Sequence, residues 1–157
     1  MKNFIFIFIF IFSPIAHAFC YEAAGAKYHI DPLLIKSLIK RESNFDPNAI
    51  NQNKNKNKKV TSTDYGLMQI NSIHIPTLIS MGIIKSENDL LSNPCLNVEI
   101  GSWILAKHLK QCGVNWMCLG SYNAGFHKNN GERRMDYAKK IHKIYVDLLR
   151  KERGLMI

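Results

Sequence analysis

Four cysteines, Cys20, Cys95, Cys112 and Cys118, constrain this chain more tightly than any other feature, because of what precedes them. Residues 1–18 open on Met1-Lys2-Asn3, run through an apolar stretch from Phe4 to Phe12 and finish on Ala16-His17-Ala18, the pattern of a secretory signal peptide. The apolar run is far shorter than the ~20 residues of a membrane-spanning helix, which argues against an uncleaved anchor and stable membrane insertion. Phe19, before Cys20, is too large for a lipidation site. The chain is therefore expected in an oxidising compartment, where an even number of cysteines reads as disulfides. Three pairings are open. Gly113 and Asn115 lie in the turn between Cys112 and Cys118 and bring those two together, so the preferred pairs are Cys112–Cys118 and Cys20–Cys95. The longer bridge ties the mature amino terminus to the middle of the domain and is worth roughly 4 kcal/mol in the chain-entropy model. A zinc site would need paired CxxC units, which are absent.

Removing residues 1–18 from 157 leaves 139, enough for one compact domain and too few for two. The chain carries 21 basic and 12 acidic residues, a formal charge of +9 that becomes +8 without Lys2. A basic exported protein meets an anionic membrane surface or an anionic wall polymer rather than nucleic acid.

Asp31-Pro32 reads as an N-cap followed by proline at the first helical position. Leu33, Leu34, Ile35, Leu38 and Ile39 then recur at helical spacing, so a helix is expected over about 31–43. Pro47 restricts Asp46 to extended geometry and, with Asn44 and Asn48 around it, marks a turn just after Glu42. Residues 51–59 (NQNKNKNKK) are polar throughout and carry four lysines, so a solvated loop is expected. Asn93-Pro94 opens a helix through Lys110, and a shorter helix ends near Gly125. A last amphipathic helix from Glu132 to Arg150 turns Ala138, Ile141, Tyr145 and Leu148 inward. The only strand-like stretch is 59–64 (KVTSTD), a short ribbon.

Glu42 lies four residues after Leu38 and three after Ile39, so the helix carries a carboxylate along its apolar face to its last turn. A carboxyl held against apolar side chains loses hydration in its charged form, keeps its proton to higher pH and can act as a general acid. Taken alone, a glutamate at a helix end is more often an ordinary boundary residue. Ser62 to Ser72 (STDYGLMQINS) then mixes hydroxyls, one carboxylate, one glycine and two amides. These groups suit a polyhydroxylated ring, and Gly66 permits close backbone approach.

Glu42-Ser43, Gly66-Leu67-Met68-Gln69-Ile70-Asn71, Tyr122-Asn123-Ala124-Gly125 and Tyr137 resemble, in order, the motifs of lytic transglycosylases of the soluble-transglycosylase type. The likeness runs from Cys20 to about Tyr145. It is nearest to small periplasmic members that accompany type III secretion systems, type IV pili and conjugation machines, which share an early cysteine and the Asn-Pro-Cys found here at Cys95. The resemblance implies a mainly α, lysozyme-like (α+β) single domain over residues 19–157, with a minimal β-ribbon. It implies that Glu42 protonates the glycosidic oxygen between N-acetylmuramic acid and N-acetylglucosamine in peptidoglycan, then takes a proton from the muramyl 6-hydroxyl as a 1,6-anhydro ring closes. Ser43 would orient Glu42 or the substrate. Met68 and Gln69 would line sugar subsites in the same wall as Gly66 and Asn71, and Tyr122, Asn123 and Tyr137 would face the cleft from the other side. Tyr137 also reads as a core aromatic and Asn123 as a helix-end cap. The implied partner is the glycan strand in the periplasm, attacked by a monomer without a cofactor.

Asp64 adds a second reading. The stretch Ser62-Thr63-Asp64-Tyr65-Gly66 is similar to the strand that carries the second carboxylate of animal-type lysozymes. Facing Glu42 across a cleft, Asp64 would stabilise an oxocarbenium-like transition state, act as nucleophile or position water for hydrolysis; facing away, it is a solvated turn residue. A third reading is a non-enzymatic wall-binding module of a secretion system. The lysines of 51–59 read as a solvated insertion or as a guide toward anionic wall polymers. They and the basic tail, Arg150 to Arg153, are the segments through which a secretion or pilus component would recruit or activate the protein. His74, His108, His127 and His142 have no carboxylate or cysteine at metal-ligand spacing, so no metal is inferred.

Overall fold

The computed structural model describes residues 20–154, and the signal peptide read at residues 1–18 lies outside them. The chain opens with two helices, α1 (Cys20–Tyr28) and α2 (Pro32–Ser43). An antiparallel sheet follows, in the order β1 (Ile50–Lys54), β2 (Val60–Tyr65) and β3 (Ile70–Asn71). Short helices α3 (Ile75–Ser80) and α4 (Asp89–Ser92) lead into α5 (Pro94–Cys112). Two further short helices, α6 (Trp116–Leu119) and α7 (Ser121–Ala124), precede the long α8 (Gly131–Glu152). The domain is mainly α with a small sheet, as the sequence indicates. Among the described residues no helix is long and apolar enough to cross a membrane.

α2 begins where Asp31 accepts a hydrogen bond from the Leu33 amide at 2.8 Å, with Pro32 in the first turn. It ends on Asn44, whose φ of 53° stops the helix one residue past Ser43. Between these caps Ile35, Leu38 and Ile39 are buried, and α2 packs on α8 through a core that includes Tyr137, Ala138 and Ile141. Burying a side chain such as Leu38 contributes about 2 kcal/mol. α1 packs on α5, where a disulfide joins Cys20 to Cys95; a second disulfide joins Cys112 to Cys118. α2 is thereby clamped from both sides, and its last turn, with Glu42, is held at the edge of the core.

Residues 51–59 depart from the solvated loop expected of them. Ile50–Lys54 is a strand, exposed along its whole length, that pairs with β2 from Ile50↔Tyr65 to Asn53↔Ser62. Asn55 builds the turn. Its side-chain oxygen accepts from the amides of Asn57 and Lys59, both at 3.0 Å, its own amide donates to the Lys59 carbonyl at 3.0 Å, and Lys58 takes φ 60°. Polar composition excludes burial, but a backbone ladder needs no burial, and the lysines suit an edge strand.

Candidate functional site

The motif loop after β2 is held from below by one buried amide. Asn97, on α5 and fully buried, donates to the carbonyls of Tyr65 (2.8 Å) and Leu90 (3.0 Å) and accepts from the Met68 amide (2.8 Å). Gly66 sits directly against it: φ is +73°, and a Cβ there would lie 2.3 Å from Asn97 Nδ2. The close approach that Gly66 permits is thus to Asn97 inside the protein and not to a sugar. Gln69, with φ 51°, turns the chain back into β3. Its side-chain amide donates to the carbonyls of Gly66 (2.9 Å) and Ala49 (3.2 Å) and accepts from Asn51 (2.7 Å).

Glu42 meets this loop from the end of α2. The Tyr137 hydroxyl, from α8, donates to Glu42 Oε1. Burial pushes the Glu42 carboxyl above its ordinary range and the nearby Asp64 adds to the rise, while the Tyr137 bond and Arg41 work against it. The Ser43 hydroxyl does not turn to Glu42. It donates to the Leu67 carbonyl at 2.9 Å and lies 3.3 Å from the Ile39 carbonyl, tying the helix end to the motif loop. Tyr122 likewise donates to the Met68 carbonyl at 2.9 Å, and burial with Glu42 and Asp64 nearby raises its pKa well above that of an ordinary phenol.

The sheet supplies the facing wall. Asn53 on β1 and Asn71 on β3 each donate to both Ser62 and Asp64 on the central strand, at 3.1 and 2.7 Å from Asn53 and 3.0 and 2.6 Å from Asn71. Asp64 is therefore gripped on both carboxylate oxygens, one by each neighbouring strand, and does not point away as a free turn residue.

A cleft of about 490 Å³ brings together Glu42, Asp64, Gln69, Asn71, Tyr122 and Asn123. Met68, Gly66, Ser43 and Tyr137 do not line it. Met68 is fully buried against Gly101 and Ser102 of α5; its carbonyl, not its side chain, meets Tyr122 of the cleft. Tyr137 is a core aromatic, 4% exposed, whose hydroxyl reaches Glu42 from beneath. Ser62, from the stretch read as suited to a sugar ring, lines the cleft, and so do Asn53, Ile73, His74, His108, Ser121, Phe126 and Arg133, which the sequence does not mark as site residues. A period of two relating Ser62 to Asp64 was the one available signal; Asn53 joins them only through strand pairing. Among the described residues no group of three or more His, Cys, Asp or Glu side chains is placed to hold a metal ion.

A mainly helical domain with a small sheet, a cleft lined from both and an acid of raised pKa in its lining defines the lysozyme-like class. Within it, the chain belongs to the transglycosylase SLT domain family, which it matches over residues 19–145. It is 50% identical over 133 residues, 85% of this chain and 80% of the relative, to a "peptidoglycan-binding-like protein" of Escherichia coli O157:H7. It is 36% identical over 146 residues to Protein IpgF of Shigella flexneri, covering 93% of this chain and 91% of that one. Invasion protein IagB of Salmonella typhimurium (strain SL1344) is 39% identical over 146 residues, 92% of this chain and 87% of the relative. The role of the protein is lytic-transglycosylase-like.

Proposed function

We propose that this protein cleaves the β-1,4 bond between N-acetylmuramic acid and N-acetylglucosamine in peptidoglycan, leaving a 1,6-anhydro end, with Glu42 as acid and then base. The observation that carries this reading is the Glu42 carboxyl: raised by burial, pinned on one oxygen by Tyr137, and open to a polar cleft. In the first step the Glu42 proton passes to the glycosidic oxygen as the bond to the muramyl C1 breaks. In the second, the Glu42 carboxylate takes the proton of the muramyl 6-hydroxyl as that oxygen closes on C1. No water is consumed, and the acid is restored. The uncharged amide of Asn123 suits sugar hydroxyls and acetamido groups, while Gln69 and Asn71, whose side-chain N–H groups are spent within the protein, shape the wall of the cleft.

Asp64 supports a second reading, hydrolysis of the same bond, because it lines the same cleft as Glu42. Mass analysis of muropeptides released by the purified protein separates the two: anhydro-muramyl ends mean transglycosylation, and reducing muramic ends mean that water attacks. The third reading, a wall-binding module without activity, is addressed by Glu42→Gln. We expect this variant to clear a peptidoglycan suspension at least ~100-fold more slowly, the scale of a lost general acid. Clearing at the parental rate would remove Glu42 from the mechanism.

Export by the signal peptide of residues 1–18 would deliver residues 19–157 to the periplasm, where peptidoglycan lies. A component of a secretion or pilus machine would recruit the enzyme there through the lysine-bearing hairpin tip or the tail from Arg150 to Arg153, limiting cleavage to the site of assembly. Activity indifferent to any copurifying partner and to loss of both segments would rule this out.

A further inference from the structure

Outside the cleft, the loop between α5 and α6 turns apolar side chains outward. Residues 111–117 are all exposed, and among them Val114 is 89% exposed, Trp116 39% and Met117 38%. Val114 and Trp116 also line, with Leu34, Leu109, Asn115 and Leu119, a groove of about 420 Å³ where α2, α5 and α6 meet. Single apolar residues on a surface call for no explanation, but a run of them beside an apolar groove marks a place of contact. No residue from 109 to 119 lines the cleft, so an occupant of this surface leaves the cleft free.

The loop is built to enter a medium poor in water. The Cys112–Cys118 disulfide closes it, so its shape does not depend on burying Val114, Trp116 or Met117. Asn115 commits its side chain within the loop, donating to the Cys112 carbonyl at 3.2 Å and accepting from the Cys118 amide at 2.8 Å. The carbonyls of Gly113, Asn115 and Trp116 accept from the backbone amides of Asn115, Leu119 and Gly120. These polar groups keep their partners when water leaves. The surrounding charge is of one sign. Residues 100–131 contain Lys107, Lys110 and Lys128 and no Asp or Glu. From α8, His142 meets Trp116 edge-on at 4.9 Å between ring centres, with Lys139 one turn before it and Lys143 beside it. The Asp31 carboxylate at the start of α2 is occupied by the Leu33 amide and the Tyr145 hydroxyl. Lys110 and Lys143 are exposed and enter none of the ion pairs of the described residues. A second copy of this chain would bring like charge to the surface, and an uncharged apolar partner would leave the lysines without a role.

We infer that the loop closed by Cys112 and Cys118 docks the protein on an anionic phospholipid surface, with Val114, Trp116 and Met117 entering the boundary between headgroups and acyl chains and Lys110, Lys139 and Lys143 meeting the headgroup phosphates. Tryptophan suits that depth, because its ring is apolar and its N–H polar. The contact is peripheral and reversible, set by a small apolar area and a few charges, and not that of a spanning helix, of which the described residues have none. It goes beyond wall cleavage and does not depend on what Glu42 does: it would hold the cleft against the layer of wall next to a membrane.

The test uses residues 19–157, which hold the described core and both disulfides, so that the apolar stretch of residues 4–12 cannot itself enter lipid. The probes are vesicles of phosphatidylethanolamine with phosphatidylglycerol and, as control, of phosphatidylcholine alone. The expected result is cosedimentation with the anionic vesicles, weakened by salt, and none with the control. Trp103→Phe leaves Trp116 as the one tryptophan of the chain, and its emission should move to shorter wavelength and be quenched by lipid with brominated acyl chains. Val114→Ser with Met117→Ser should weaken binding about tenfold, and Lys110→Gln about fivefold, while both variants melt with the parent. Binding that survives the double substitution, or a Trp116 emission indifferent to lipid, would mean that basic charge alone attracts the protein and would overturn the loop as the docking element. Absence of binding to both vesicles would overturn it too and assign the apolar surface to a protein partner. Should the parent release no anhydro products while these responses hold, the catalytic reading fails and the docking surface stands.

Discussion

Glu42 sits under two opposing pressures: removal from water favours its neutral form, and the phenol of Tyr137 favours its anion. Burial prevails, and the consequence for stability has a definite sign. Between the unfolded value near 4.5 and the higher folded value, the native state holds a proton that the unfolded chain has released. Stability therefore falls as pH rises through that window. Glu42→Gln keeps an acceptor for Tyr137 and has no charge to desolvate. It should melt with the parent at about pH 4 and above it at about pH 8, and thermal melts followed by circular dichroism check this; a gap that does not change with pH would contradict it. Tyr137→Phe removes the one donor that lowers the carboxyl pKa. The alkaline limb of the activity profile should then move to higher pH, with a stability cost of about 1 kcal/mol. A limb that stays in place would mean that the hydroxyl does not set the acidity of Glu42.

The motif loop between β2 and β3 owes its shape to a residue in another element. Asn97→Ala leaves the Met68 amide and the Tyr65 and Leu90 carbonyls without their partner, which should cost about 3 kcal/mol. Gly66→Ala combines a left-handed φ with a clash on Asn97 and should cost a similar ~3 kcal/mol. Urea denaturation of both variants measures this, and a loss below ~1 kcal/mol in either would show that the loop holds its own shape. The same geometry explains what could be read in advance. α2 was legible from Asp31, Pro32 and the spacing of its apolar residues because these signals are local. The order of the motifs drew attention to Glu42 and Asn71, and the likeness to a lysozyme strand to Asp64, all three of which line the cleft, but neither signal says where the Met68 side chain points, since that depends on packing against α5. Asn97 and His108 gave no local signal. Asn97 reaches Tyr65 and Met68, and His108 reaches Ser121, all more than ten positions away, and only the packed helices bring them together.

At the scale of the whole molecule the two disulfides enclose very different lengths of chain, with sequence separations of 75 for Cys20–Cys95 and 6 for Cys112–Cys118. Loop-closure entropy assigns about 4 kcal/mol to the first and about 2 kcal/mol to the second. Replacing Cys20 and Cys95 by serine should therefore destabilise the fold more than replacing Cys112 and Cys118. Ligand binding should rank them the other way. Neither Cys20 nor Cys95, nor any residue of α1, lines the cleft, so the long bridge acts on the site only through global stability. The short bridge holds the segment whose Cys118 carbonyl takes the Ser121 proton and thereby sets the His108 ring. At a temperature where both serine pairs are folded, the Cys112/Cys118 pair should bind tri-N-acetylchitotriose more weakly than the parent, while the Cys20/Cys95 pair binds it equally well. Isothermal titration alongside urea melts resolves stability from affinity. Equal losses of affinity in the two pairs would mean that the short loop has no hold on the cleft beyond its share of the fold.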